Sequence, residues 1–246
     1  MAALQPMPAV VIPRPDLQGW GALWLGTAGG GVGGAPTIKN VNCFDRKQGM
    51  DFGSVFDRGF GVAVATMLGN VQVVIRDSAD LIPPDPDCVE VGQTRIVGGI
   101  RPQNFDMAYR PDGPRIVFDS KTLNDAKSIQ KNWQNMVNDL ATEAATVHTR
   151  FPYCIVAFVV ALPKPALAPS QQRDLIRTLE RLGSRKDELD QDHLAEAISL
   201  VIWDPHTGLI DNAVPPPASI LRLNTMHRRI YPQYLDRYQN LPPHNV

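Results

Sequence analysis

The chain has 246 residues and a mass of 27.1 kDa, enough for one α/β domain with loop insertions. Its 24 Lys and Arg residues nearly balance 25 Asp and Glu residues, for a net charge of -1, which excludes a polybasic binder acting through bulk charge but not a locally basic cleft. Three widely spaced cysteines, Cys43, Cys88 and Cys154, argue against a disulfide scaffold or a cysteine-rich zinc site and point to a reducing compartment.

The 19 glycines and 22 prolines predict a loop-rich chain. The N-terminus carries an apolar stretch broken by Pro6, Pro8, Pro13 and Pro15 and no basic leader, so no signal peptide is expected. Tyr153 to Leu162 is the longest apolar run, well short of the roughly 20 residues of a membrane span. A cytoplasmic protein without membrane contact is expected.

In chain order, Trp20 to Leu25 reads as a short strand. Gly26 to Pro36 is glycine-rich, but no Lys-Ser/Thr follows it and Pro36 stands where a helix should begin, so it reads as a flexible loop rather than a phosphate cradle. Met50 to Leu68 carries Phe52, Val55, Phe56, Phe60, Ala63 and Met67 at helical spacing, with Gly59 and Gly61 against it. Val71 to Ile75 and Arg95 to Ile100 read as strands around a Pro/Asp-rich loop. After a hairpin over Phe105–Lys121, Asn124 is placed to cap a long helix with Ile129, Trp133, Met136, Val137, Leu140, Ala144 and Val147 on one face. Pro152 disfavours helix at Phe151 and ends it. Tyr153 to Leu162 is apolar throughout, as a strand buried on both faces should be. Ser170 to Leu182 is a second helix and Ala197 to Trp203 a further strand. The tail is Pro-rich and mildly basic. With no repeat or clear linker, the expected fold is a single α/β domain, 1–246, with a mixed central β-sheet flanked by helices on both faces.

The hairpin carries the chemistry. Pro111-Asp112-Gly113-Pro114 is a turn between NFDMAYR and RIVFDSK. A four-residue loop sets Arg110 opposite Arg115, and therefore Asp106 opposite Asp119. Strand alternation puts Phe105, Met107, Tyr109, Ile116 and Phe118 on a core face, and Asp106, Ala108, Arg110, Arg115, Val117, Asp119 and Lys121 on a polar one. Directly opposed carboxylates repel. A divalent cation between them reverses that sign, and Mg²⁺ prefers carboxylate oxygens with water on its remaining positions. Such an ion activates water and offsets charge on a phosphoryl oxygen. Lys121 shares the face and is placed to orient the attacking water or stabilise the transition state. Hydrolysis of a phosphodiester requires such a set.

The pattern Asp106-x12-Asp119-Ser120-Lys121 resembles that of the PD-(D/E)xK nuclease superfamily, the restriction endonuclease-like fold. The order helix, strands, hairpin, helix, strand over about 50–162 is similar to that family's core. Gly53-Ser54-Val55-Phe56-Asp57 resembles the acid-bearing motif of its first helix, with Asp in place of Glu. The literal Pro111-Asp112 lies in the turn, too far along the strands from Asp119 to share an ion. The resemblance implies a Mg²⁺-dependent DNA endonuclease (Mn²⁺ substituting), most like a type II restriction enzyme acting as a homodimer on double-stranded DNA. Asp106, Asp119 and the Ser120 carbonyl would hold the metal, Lys121 would assist attack, and Asp57 would be a further acid, with Glu90 the alternative. It equally admits a junction-resolving, repair or RNA-cutting nuclease, or a silent nucleic-acid-binding protein.

Lys127, Lys131 and Gln134 at the start of the long helix are candidate DNA or site-support residues, weighed against ordinary solvated positions. With Arg110, Arg115 and Lys121 they suggest local basic polarity around the acids. Trp133 reads as core. The five histidines show no HxxxH or HxH spacing, and no GxSxG elbow accompanies them.

Overall fold

A computed structural model describes residues 3–26, 41–164 and 167–245. In chain order it contains helix α1 (Arg14–Trp24), helix α2 (Arg46–Met67), strands β1 (Gln72–Arg76), β2 (Cys88–Val97), β3 (Pro102–Tyr109) and β4 (Ile116–Thr122), helix α3 (Ile129–His148), strand β5 (Ile155–Pro163), helix α4 (Pro169–Leu182), strand β6 (Ala197–Trp203), and helix α5 (His227–Tyr238). The glycine-rich reading of Gly26 to Pro36 falls almost wholly outside the described residues.

The strands form one sheet in sequence order, β1 to β6. β2, β3 and β4 are an antiparallel meander, while β1 runs parallel to β2 and β4, β5 and β6 run parallel. Parallel neighbours need a crossover, which α3 supplies between β4 and β5 and α4 between β5 and β6. One face is covered by α1, α2 and α5, whose Leu17, Phe52, Phe56, Phe60, Ile230 and Tyr234 pack with Met107, Tyr109, Ile116 and Phe118. The other is covered by α3 and α4, through Ile129, Trp133, Leu140, Leu175 and Leu179 against Ala108, Val117, Phe158 and Leu200. The expected mixed sheet with helices on both faces is therefore the observed architecture. Every residue of β5 is buried, as its unbroken apolar sequence requires.

Several elements differ from the sequence reading. Trp20 to Leu25 is not a strand. Pro15 lies in the first turn of α1, where its missing N–H costs nothing, and Leu17, Gly21 and Trp24 face inward at helical spacing. α2 begins at Arg46 rather than Met50, because Asp45 and Gln48 form a reciprocal capping box. β2 starts at Cys88, seven residues before the expected Arg95. α3 begins at Ile129; Asn124 does not cap it but donates to Thr122 Oγ1. The tail holds α5, whose Ile230, Tyr234 and Tyr238 are buried at i, i+4, i+8.

The helix glycines that weighed against α2 have a packing reason. A Cβ on Gly61 would stand 2.4 Å from Val91 Cγ2, and one on Gly59 2.8 Å from Ile12 Cδ1. These glycines let α2 lie close on β2 and on the N-terminal segment.

Candidate active site

The hairpin pairs as its turn predicts: Tyr109 with Ile116, Ala108 with Val117, Met107 with Phe118. The ladder ends at Met107 and Phe118, and Asp106 and Asp119 are the residues that follow on the two strands. The two carboxyls are close enough for each to move the other's pKa, and Ser120 donates its backbone N–H to Asp106 Oδ2 at 3.0 Å. Opposite Asp106, β2 carries a bulge, since Val91 faces Met107 while Thr94 faces Phe105. Gly92 in that bulge has φ +114°, and a Cβ there would stand 2.2 Å from Arg76 O. A bulge next to a cluster of acids is the device that ends regular pairing and re-aims a side chain.

The predicted faces hold in part. Met107, Tyr109, Ile116 and Phe118 share one core, but Phe105 packs in the other with Ala108 and Val117. The supposed polar face is thus largely a second core under α3 and α4, with Asp119 and Lys121 at one end and the ion-paired Arg110 and Arg115 at the other, and the alternation of β3 breaks at Asp106, which turns to Ser120.

That end is the floor of a cleft of about 920 Å³ whose lining includes Asp57, Asp106, Asp119, Ser120 and Lys121. Asp57 comes from α2, so the helix motif and the hairpin do converge. The Asp57 side chain is buried and its Oδ1 has no hydrogen-bond partner. Gly53, one turn earlier, leaves room for Ser120, whose Oγ stands 3.0 Å from where a Cβ would be. Lys121 Nζ donates to both Asp119 Oδ2 and Glu143 Oε1, the latter at 2.8 Å. What the structure shows of Ser120 is its N–H and hydroxyl on Asp106, where the sequence reading invoked its carbonyl.

The electrostatics follow from burial and crowding. Burial pushes Asp106 up to about 9, with the Asp119 charge adding to it. Burial also raises Asp119, to about 6, while the hydrogen bond from Asp106 and the Lys121 charge pull it back. Asp57 lies well above the usual carboxylate range through burial and the neighbouring Asp106. Burial works against the Lys121 ammonium, but Asp119 and Glu143 outweigh it and raise its pKa.

Other assigned residues lie elsewhere. Glu90 is not a cleft acid: it is fully buried, with Arg110 Nε on its Oε2 at 2.6 Å and Arg110 Nη2 on its Oε1 at 2.9 Å. Arg110 is consumed by that pair, and Arg115 by Asp112 at 2.9 and 2.6 Å. Both arginines are buried, so the expected basic cluster around the hairpin is not a surface for phosphates. Lys127, Lys131 and Gln134 are exposed but are not part of the cleft wall, which α3 builds from Asn132, Asn135, Met136 and Asp139. Exposed cations on the cleft come instead from α2, Arg46 and Arg58. Trp133 is core, as expected.

Glu143 went unnoticed in the sequence. Its signal was a carboxylate on the inward stripe of α3, three residues after Leu140 and four before Val147. Charged side chains are rarely buried without a specific partner.

The donors converging here are all oxygen, the preference of a hard divalent cation. The buried Asp119 carboxyl, the half-buried Asp106 beside it and the bare Asp57 Oδ1 fit such an ion. Among the described residues no group of three or more His, Cys, Asp and Glu side chains is arranged to hold a metal, so the fit rests on the Asp106–Asp119 pair, with water completing the shell. Comparison with protein-family models, with curated proteins and with solved structures finds no match. Among the described residues no helix is long and apolar enough to cross a membrane.

Proposed function

We propose that this chain is a Mg²⁺-dependent nuclease hydrolysing phosphodiester bonds, with a restriction endonuclease-like core of α2, β2, β3, β4, α3 and β5, and that it cuts double-stranded DNA as a type II restriction enzyme does. One observation carries the reading: Asp106 and Asp119 come together just past the last pair of the hairpin ladder, Lys121 is hydrogen-bonded to Asp119, and all three line one open cleft. The element order and the convergence of Asp57 from the first core helix support it.

Asp106 and Asp119 would hold the cation, Mn²⁺ serving in place of Mg²⁺. When bound it supplies a more acidic water and a counter-charge for the phosphoryl oxygens. Lys121 presents an ammonium beside Asp119, where it can orient the attacking water or meet charge developing on phosphorus. Ser120 fixes the rotamer of Asp106 through its N–H. Arg46 and Arg58 offer phosphate contacts along the cleft wall. Because two strands need two such sites, the proposal includes a homodimer.

The test is plasmid digestion with Mg²⁺, with chelator, and with Asp119→Ala and Lys121→Ala. Chelation is expected to abolish cleavage and each substitution to slow it by about 100-fold or more. Undiminished cleavage by either variant sinks the assigned site. Sequenced product ends that share a motif establish the restriction reading. Structure-selective nicking or complete degradation makes it a junction-resolving or repair nuclease, cleavage of RNA alone an RNA-cutting one, and binding without cleavage a silent nucleic-acid-binding protein.

A further inference from the structure

Glu143 is buried, at 4 % exposure. Its Oε1 accepts from Lys121 Nζ at 2.8 Å and from Gln103 Nε2 at 3.1 Å. Its Oε2 is buried with no partner at all. Three elements therefore meet on one carboxylate: β3 through Gln103, β4 through Lys121, and α3 through Glu143 itself. Lys121 has a second anchor, Asp119, on its own strand.

The two anchors are not equivalent. In the reading proposed above, Asp119 gives its oxygens and its charge to the cation, so its hold on Lys121 weakens just when the lysine is needed. A flexible four-carbon ammonium held by one shared carboxylate loses its position readily. Glu143 comes from a different element and is locked from behind by Gln103. Glu143 commits one oxygen to both Lys121 and Gln103, so β3 and β4 are joined to α3 through the same atom that holds the ammonium.

We infer that Glu143 is the positioning residue that holds the Lys121 ammonium on the cleft floor independently of Asp119, with Gln103 fixing Glu143 in turn. What Lys121 then does rests on the nuclease reading; where it is held does not.

Two measurements separate these. The side-chain ¹⁵Nζ resonance of Lys121, assigned by its loss in Lys121→Arg, reports an ammonium protected by hydrogen bonding. It is expected to persist in Asp119→Ala and to vanish in the Asp119→Ala/Glu143→Ala double variant, since alanine, unlike an amide, leaves the ammonium no acceptor at either position. Persistence in the double variant overturns the inference. If the double variant does not fold, Glu143→Ala alone is read in its place, with faster solvent exchange of the Lys121 resonance expected and unchanged protection overturning the inference. The second measurement is kinetic: Glu143→Gln lowers kcat about tenfold or more while KM for DNA stays within about twofold, the split expected when an interaction matters mainly in the transition state. A wild-type kcat in that variant also overturns it. If the unmodified protein cleaves nothing, the nuclease reading falls, and the resonance still decides whether Glu143 holds Lys121.

Discussion

Asp106 and Asp119 illustrate how function is set against stability at single residues. Burial and the neighbouring Asp119 charge push the Asp106 carboxyl well up, so folding without a metal forces Asp106 toward its neutral form while its hydrogen bond keeps Asp119 the more acidic of the two, a cost to the metal-free fold. An amide at Asp106 can still accept the Ser120 N–H and removes the repulsion. Asp106→Asn should therefore raise the melting temperature in chelator by about 2–4 °C, which corresponds to roughly 1 kcal/mol in a chain this long. Scanning calorimetry at pH 8 checks it; a lowered melting temperature would mean that the Asp106 carboxyl contributes net stability. Asp106, Asp119 and Lys121 were legible in the sequence because strand alternation and a four-residue turn are local rules. Arg110 and Arg115 were misjudged for the opposite reason. Their carboxylate partners, Glu90 across the sheet and Asp112 across the turn, are chosen by tertiary approach and by side-chain conformation. Glu143 escaped because a helical stripe shows which face is buried, not what waits beneath it.

Among the elements, α2 and the bulge in β2 shape the cleft. The glycines of the helices make opposite predictions from the same chemistry. Gly61→Ala gains roughly 1 kcal/mol of helix propensity but drives a methyl to within 2.4 Å of Val91 Cγ2. Val91 is β-branched and stiff, so the net effect should be a loss of about 1–3 kcal/mol. Gly19 in α1 has nothing within 4 Å of a Cβ, and Gly19→Ala should stabilise by about 0.4–1 kcal/mol. Urea unfolding midpoints of the two variants test both signs, and a stabilising Gly61→Ala would show that α2 can lift off β2 cheaply. Element types were legible wherever periodicity was strong, as in α3, β5 and β6. Boundaries and short helices were not, because caps such as Asp45 with Gln48 and the Pro15 start of α1 compete with the apolar pattern.

Across the whole molecule, the two cores are tied at one end by a buried ionic cluster. Glu196, just before β6, accepts from Arg237 Nη1 of α5 at 2.9 Å and from the Val156 N–H of β5 at 2.8 Å; Arg185 Nε forms an ion pair with it at 3.1 Å, and His148 Nε2 of α3 stands 3.2 Å away. Burial opposes its charge, but His148, Arg237 and the Val156 N–H outweigh it and hold its pKa below the usual glutamate value. A group depressed on folding contributes stability above its unfolded pKa, about 4.3 for glutamate, and loses it as pH falls through the folded value. Glu196→Gln should therefore cost about 3–5 kcal/mol at pH 7, because it strands buried cations. The gap between variant and unmodified protein should narrow as pH drops below about 4.3. Chemical denaturation across pH 3 to 7 measures it, and a gap independent of pH would mean that the Glu196 charge is not what joins these elements.

By itself, the sequence determined the α/β class, the buried β5, and the hairpin register that brings Asp106 and Asp119 to the same end of the ladder, since each follows from alternation, turn chemistry or helical period over a few neighbouring residues. Only the tertiary structure decided which charges are spent and which are offered to the cleft. Burial and ion pairing are settled between residues far apart in the chain, so Glu90 and Arg110 cancel inside the sheet while Asp57, Glu143, Arg46 and Arg58 arrive at the site from helices. The net charge of -1 is accordingly a poor guide to the cleft, where buried acids on the floor face exposed arginines on one wall.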